Sequence, residues 1–403
     1  MKSISLFTGA GGLDIGLEAA GFKPTVCVEL DKDACATLNI NRPHWRLLNP
    51  GDIHTHKPEE VLEHARLRPK EAILLSGGPP CQPFSKASFW VNGEATGLAD
   101  IRAKTLKAYL KVAETALPQI LLLENVGGNY KSGKNRALEF LKAGIDWINR
   151  RNGTKYQWNI LHLNSADYGV PQTRRRIYLI ADRDGRIFQP PRKTHSPNDN
   201  DGSLKPYFKA WDAIGDLDNN RWDKELIPRG KWAELLPSIP EGWNYLWHTN
   251  KGGGKPLFGW RTKFWSFLLK SAKWRPSWTL SANPGPATGP FHWRNRLLSL
   301  RELCRLQTFP DEYMIQGKYP SARRQIGNAV PPLIGEIIGR EICKQWLDVN
   351  KKGTLKFISS RREYQPKKHP VRPINEKYLS MIGDHKPHPG VGKGPGVKTE
   401  FSG

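Results

Sequence analysis

An α/β protein with a smaller, mostly irregular second unit is the architecture the sequence predicts, on two observations. Up to residue 181, short apolar runs alternate with amphipathic stretches, the pattern of a βαβ sheet. Beyond it the texture changes. Segment 186–293 is rich in Pro, Gly, Asn and charge, has weak periodicity, and carries ten of the fifteen tryptophans.

The elements follow in order. Strands are expected at Ile4–Phe7, Thr25–Glu29, Ala72–Leu75, Ile120–Leu123 and Ile177–Ala181, with helices such as Leu13–Ala20 and Thr105–Ala116 between them. A helical pattern returns at Leu300–Gln307 and Leu333–Trp346. The expected division is a domain over 1–185 completed by a helix at 321–349, a second domain over 186–320, and a basic, disordered tail over 351–403.

Three loops carry chemistry. Phe7-Thr8-Gly9-Ala10-Gly11-Gly12 follows the first strand and opens the first helix, where glycines let backbone approach a ligand and the helix start offers free N–H groups. Alone it also fits an ordinary turn. Glu29 ends the second strand 20 positions after Gly9, where a carboxylate accepts ribose hydroxyls, and Asp52-Ile53 suits an adenine amino group and ring. A Rossmann dehydrogenase shares this layout but needs a third glycine where Asp14 stands. A negative charge there disfavours a pyrophosphate and suits a nucleoside bearing a cationic sulfonium.

The second loop is Gly77-Gly78-Pro79-Pro80-Cys81-Gln82-Pro83-Phe84-Ser85, past the end of the apolar run Ala72–Leu75. Prolines fix φ and remove donors, so the thiol is held at the sheet edge where α/β proteins place their chemistry. Glu124-Asn125-Val126 brings a carboxylate to the same edge. Alternation along Gln172-Thr173-Arg174-Arg175-Arg176 puts Gln172, Arg174 and Arg176 on one face. Gln325-Ile326-Gly327-Asn328-Ala329-Val330-Pro331-Pro332 precedes the last helix.

The formal charge of +24 points to a polyanionic partner. Residues 351–403 hold 12 Lys/Arg against 4 Asp/Glu, which leaves +16 on residues 1–350, so the body itself is basic. The tail is expected to add only nonspecific affinity. Five cysteines (27, 35, 81, 304, 343) at no zinc spacing, without a signal peptide, imply reduced thiols in a cytosol-like compartment. His54, His56 and His64 lack ligand-spaced partners and read as solvated, and no run is long enough to span a membrane.

With these motifs in this order, the chain closely resembles the DNA cytosine-5 methyltransferase family over about 1–185 and 294–346. A further block, Arg296-Leu297-Leu298-Ser299-Leu300-Arg301-Glu302 through Arg305-Leu306-Gln307-Thr308-Phe309-Pro310, matches as well. The resemblance implies a Rossmann-like S-adenosylmethionine-dependent methyltransferase domain with a target-recognition domain. It assigns covalent attack on cytosine C6 to Cys81, the N3 contact to Glu124, and charge neutralisation at O2 to Arg176 and, more loosely, Arg174. Phe7, Gly9, Gly11, Gly12, Glu29, Asp52, Ile53, Pro80, Asn328 and Ala329 would hold the cofactor, with no metal. Ser85 and Arg102 would touch phosphates, with Gln172, Arg261, Lys263 and Arg275 as further DNA contacts.

The cytosine must leave the duplex to reach the thiol, and segment 186–293 stands where the family recognises its sequence. There Arg261, Lys263, Lys270, Lys273 and Arg275 interleave with Trp260, Trp265, Trp274 and Trp278, although such tryptophans also build a small domain's own core. Ser277-Trp278-Thr279-Leu280 resembles the family's Thr-Leu element. Three departures stand out: Ser5 for the usual Asp, Ala329 for the commoner Ser, and Thr308 for the usual Gly. A branch of the family that methylates tRNA carries a Cys-Phe-Thr signature absent here. An inactive DNA-binding relative is disfavoured by the intact Cys81, Glu124 and Arg176. The partner expected is double-stranded DNA, bound by a monomer in the bacterial cytoplasm, with a cognate restriction endonuclease as functional counterpart.

Overall fold

The computed structural model describes residues 1–79, 101–126, 136–197, 202–218, 224–258 and 265–383. Pro80, Cys81, Ser85, Arg261 and Lys263 lie outside these residues, as does the side chain of Arg102.

Strands β1 (Lys2–Leu6), β2 (Lys23–Val28), β3 (Leu74–Gly77) and β4 (Ile120–Val126) pair in parallel, followed by β7 (Arg175–Asp182) and β5 (Asn159–Asn164), in the order β2-β1-β3-β4-β7-β5. Strand β7 runs antiparallel to both neighbours. Both sheet faces are buried, which is why these strands read as continuous apolar runs. One face carries α1 (Gly12–Ala19) and the C-terminal helix; the other carries α3 (Pro58–Ala65), α4 (Ile101–Ala116) and α5 (Arg136–Asn152). Helix α2 (Lys32–Asn41) follows β2, with Asp31 accepting from the Ala34 amide as its N-cap.

The five expected strands form, none displaced by more than three residues at either end. The helix expected over 321–349 is two helices, α8 (Tyr319–Asn328) and α9 (Pro332–Trp346). Pro331 and Pro332 cause the break: the residue ahead of a proline is pushed out of helical conformation, and Ala329 is already extended at φ −61°, ψ 146°.

The second unit has short pieces only. Two-residue strands β8 (His195–Ser196) and β9 (Lys205–Pro206) pair, and β10 (Ser277–Trp278) pairs with β6 (Gln172–Thr173) beside the main sheet. Helix α6 (Ala210–Ile214) and helix α7 (Leu300–Leu306) pack with α1 and α9 in one apolar core. A separate core gathers Leu235, Leu236, Tyr245, Phe258, Phe267 and Phe291. Ser299 and Glu302 form a capping box at α7, and Glu302 also takes a bidentate pair from buried Arg296, which gives that motif a structural role.

Two expectations are corrected by burial. Lys270 and Lys273 do not face a partner: Lys270 donates to Ile239 O and Asn295 Oδ1, and Lys273 pairs with Glu241, both ammonium groups being almost wholly buried. The tail is not disordered over 351–383. Its Phe357 and Tyr378 are buried at 7% and 3% exposure, because two apolar clusters receive them.

Gln172 is also corrected. Rather than facing DNA it is fully buried, donating to Leu306 O (3.1 Å) and Gln307 Oε1 (2.9 Å) and accepting from the Leu280 amide (3.2 Å). Gln307 in turn donates to Ile326 O (2.7 Å) and Ala329 O (3.1 Å). The two amides thus join β6, the end of α7, the end of α8 and the second unit. Gln172→Leu strands buried backbone groups and is expected to cost about 2–4 kcal/mol in urea unfolding. A DNA-contact role would instead weaken DNA binding at unchanged stability.

Candidate active site

Side-chain alternation places Glu124 on the same sheet face as Ile120 and Leu122, one step beyond the apolar part of β4. The β4–β7 register sets Val126 opposite Arg176 and Glu124 opposite Tyr178, so Glu124, Arg176 and Tyr178 share that face. Arg176 Nε lies 3.2 Å from Glu124 Oε1, with both side chains about a tenth exposed. Among the described residues neither atom makes a well-formed hydrogen bond, and the buried Tyr178 hydroxyl makes none either. Buried unsatisfied groups are costly unless a ligand completes them. Burial raises the Glu124 carboxyl above its usual range, against the pull of Arg176 and Arg174.

Arg174 is 1% exposed and donates to Gly327 O (2.9 Å), and to Asn328 O at 3.5 Å. It places a cation at the C-terminus of α8 and holds the Asn328–Ala329 turn from below. Arg176 therefore faces Glu124 directly, while Arg174 acts on the backbone. Gly78, three residues before Cys81, lies against the acid: a Cβ there would stand 3.6 Å from Glu124 Oε2. Cys81 itself is outside the described residues.

The glycine loop follows β1, which β3 separates from β4. Phe7 leaves β1 at φ 57°, a left-handed conformation uncommon for a side-chain-bearing residue. Glu29, just past β2, accepts from the Gly9 amide (2.6 Å) and the Asp31 amide (2.8 Å). Each carboxylate oxygen keeps further acceptor capacity for a hydroxyl. Two glycines set the spacing. Gly51 tolerates no side chain, since a Cβ would fall 1.8 Å from Glu29 O, and this contact brings Asp52 and buried Ile53 up to Glu29. Gly12 presses on the far wall, where a Cβ would meet Val330 O at 2.3 Å and Ala329 Cβ at 3.2 Å. Phe7, Gly9, Gly11, Gly12, Glu29, Asp52, Ile53, Asn328 and Ala329 thus come from separate chain segments to one sheet edge. Asn328 is exposed there and Ala329 is not. An exposed amide, a carboxylate with free acceptor positions and apolar ring neighbours fit a nucleoside bearing an amino-acid end.

Asp14 differs from its expected part. It is turned inward, 3% exposed, accepting from Ser76 Oγ (3.2 Å) and paired with Ser5, so it lends no charge to a ligand in the loop. Thr308 sits at φ 62°, which accounts for the usual glycine, and its hydroxyl accepts from the Leu333 amide (3.1 Å). Arg275 is half-buried, donates to Gly242 O, and lies over Trp278 at 4.8 Å, so its guanidinium is already engaged. Thr279 Oγ1 donates to Thr173 O (2.7 Å), seating the Thr-Leu element on the strand that leads to Arg174 and Arg176.

Tyr178 is the site residue the motifs did not reveal. Its place two residues after Arg176, on the same face, is the signal that marks it. Among the described residues no group of three or more His, Cys, Asp or Glu could hold a metal ion, and no helix is long and apolar enough to cross a membrane.

A family model described as C-5 cytosine-specific DNA methylase matches residues 1–344. The Type II methyltransferase M.SacI of Streptomyces achromogenes is 37% identical over 378 residues, covering 87% of this chain and 95% of the relative. M.AquIA of Picosynechococcus is 39% identical over 225 residues, 54% of this chain and 88% of the relative. Among solved structures, a Spodoptera frugiperda DNMT2 mutant matches with a TM-score of 0.57 at 16% identity, covering 85% of this chain and 99% of that one. The Entamoeba histolytica methyltransferase EhMeth gives 0.55 at 15%, covering 85% and 98%. Those two likenesses speak to fold.

Burial raises the Asp14 carboxyl to about 7. The folded chain then binds that proton more tightly than the unfolded one, so its contribution is full below about pH 4 and lost as the pH rises through 7. Unfolding free energy measured from pH 4 to 8 should fall more steeply for the natural protein than for Asp14→Asn; parallel curves would show that Asp14 carries no such proton.

Proposed function

This chain belongs to the C-5 cytosine-specific DNA methylase family, and on that premise we propose that it methylates C5 of a flipped-out cytosine in a specific duplex sequence through a covalent bond from Cys81. The observation that carries the mechanism is the buried Glu124 carboxyl, held 3.2 Å from Arg176 beside the root of the Cys81 loop.

Carbon 5 of cytosine is a weak nucleophile. Addition of the Cys81 thiolate to C6 forms an S–C bond and moves the ring's double-bond electrons toward C5 and N3. A free thiol is largely protonated near neutrality, so the addition gains from groups that take up the ring's charge. Glu124, whose proton is retained to higher pH by burial, shares that proton with N3 as electron density arrives there. Arg176 opposes charge at O2 and keeps Glu124 turned toward the base. S-adenosylmethionine, when bound, would supply the electrophilic methyl that C5 takes, its sulfonium–methyl bond breaking to leave S-adenosylhomocysteine. Loss of the C5 proton and departure of the Cys81 sulfur then restore the aromatic ring and the free thiolate.

Glu29 would bind the cofactor's ribose, Asp52 and Ile53 its adenine edge and face, and Phe7 its stacked side. The Gly9–Gly12 loop with Asn328 and Ala329 would border the methionine end, with Pro80 in the same cleft. The basic body supplies phosphate contacts, Ser85 and Arg102 among them, whose binding energy offsets the few kcal/mol of base extrusion. Residues 186–293 select the sequence, and Arg261 and Lys263 are the side chains proposed to serve there. The relatives' names as Type II methyltransferases support a modification enzyme; action as a monomer in the cytoplasm and protection of DNA from a cognate endonuclease are further parts of the proposal.

Bisulfite sequencing of DNA from cells expressing the protein should reveal 5-methylcytosine at one recurrent sequence; an unmodified genome overturns the reading. Duplexes carrying 5-fluorocytosine at that position should trap the natural protein covalently but not Cys81→Ser. Glu124→Gln should keep DNA binding while lowering kcat by about 10²–10⁴.

A further inference from the structure

Residues 353–382 run from the catalytic sheet to the far side of the second unit and are held at every stage. The path starts on α9. Arg340 donates to Gly353 O and Thr354 O (both 2.8 Å), and the fully buried Glu336 carboxylate accepts the Lys356 and Phe357 amides (2.8 and 3.3 Å). Phe357 then enters the core shared by α1, α6 and α9.

Midway, Arg361 donates to Pro206 O and lies over Phe208 at 4.4 Å. Arg362 reaches Asp216 (2.5 Å), its amide reaches Asp212 (3.0 Å), and Tyr364 O accepts from Trp211. The far stage lies wholly on the second unit. Glu241, already paired with buried Lys273, accepts the His369 amide (2.7 Å), and the Arg372 amide donates to Pro237 O (3.1 Å). Asn375 donates to Glu234 (2.6 Å). Tyr378 ends the run: it stacks on Trp232 at 5.8 Å and 15°, donates to Lys231 O (2.6 Å), and is 3% exposed among Leu235, Phe258 and Phe267.

Resting on the reading of residues 186–293 as the sequence-selecting unit, we propose that residues 353–382 form a strap that fixes this unit's pose over the active site and thereby determines sequence discrimination. Two features set the strap apart from a nonspecific basic arm. Residues 351–383 hold nine Lys/Arg, yet Arg361 and Arg362 are committed to protein partners. Its two aromatic anchors, Phe357 and Tyr378, lie in two different cores, one that joins α6 of the second unit to α1 and α9 beside the sheet and one belonging to the second unit alone. Rotation of one unit against the other must extract one anchor. A small misplacement of a recognition surface costs far more at a cognate site, where several contacts must register together, than at a random one.

The test compares the full chain, a chain ending at 383, a chain ending at 350, Tyr378→Ala and Tyr378→Phe. Each is assayed for kcat/KM on a duplex carrying the sequence found by bisulfite sequencing and on the same duplex with one base pair changed. S-adenosylmethionine affinity is measured alongside. The chain ending at 383 and Tyr378→Phe should keep the natural discrimination. Tyr378→Ala and the chain ending at 350 should lose tenfold or more of it, with cofactor affinity changed less than twofold. Equal losses on both duplexes, together with a shallower salt dependence, would overturn the strap in favour of a charged arm; so would unchanged discrimination. If the chain ending at 350 does not fold, Tyr378→Ala decides. Should the full chain methylate no DNA, the functional reading fails on its own. The strap is then judged by hydrogen exchange: Tyr378→Ala must raise exchange over residues 232–239 and leave Ile4–Leu6 unchanged, and no rise over 232–239 overturns it.

Discussion

A carboxyl group placed at 6% exposure in a protein interior needs a cation or a ligand, and in this molecule both requirements converge on Glu124. Strand β7 answers the first. Because it runs against β4, its starting end, with Arg176, meets the finishing end of β4, with Glu124. A parallel strand in the same place would bring its own far end there and leave the acid unpaired. The pair is imperfect in its geometry, and Oε1 and Nε remain open to a further partner. That incompleteness distinguishes it from the closed pair of Arg296 with Glu302, which is satisfied in both oxygens and serves the fold.

Around that pair the structure spends its buried polar groups on joining segments remote in sequence. Gln172 and Gln307 link β6, α7 and α8, and Arg174 grips the end of α8. Tyr109 hydrogen-bonds Leu75 O and Leu122 O from beneath β3 and β4, the strands that lead to the thiol loop and to Glu124. Asp14 ties the first turn of α1 to Ser76, next to the start of that thiol loop. The glycine loop and the Glu124–Arg176 pair are thus braced by strands of one sheet, and rigidity there is what the proposed orientation of two reactants demands.

The second unit is built on another principle. With few regular elements, it is held by aromatic packing and by ammonium groups turned inward, Lys270 and Lys273 among them. Its attachment runs through β10 on β6, through α6 and α7 in the core shared with α1 and α9, and through the segment beyond α9. Lysine is seldom buried. The exceptions are buried because Glu241, Asn295 and Ile239 O meet them, partners that lie about 25 to 32 positions away.

What the sequence alone determined is local. Apolar runs of four or five residues marked each parallel strand, and the residue ending or following each run marked a position at the sheet edge, since a strand's end fixes where its next side chain stands. Glu29, Glu124 and the root of the Cys81 loop were legible for that reason, as were the glycine loop and the family. Tertiary structure alone decided the direction of β7, the inward turn of Asp14, the burial of Gln172 and the docking of residues 353–382. None of these follows from periodicity. Alternation gives Gln172, Arg174 and Arg176 a common face, but only the arrival of α7 and α8 turns part of that face into interior. A Lys- and Pro-rich tail has the composition of a disordered chain, and its residues 353–382 are ordered here because Glu336, Asp216 and Trp232 wait for them on elements folded from elsewhere in the sequence.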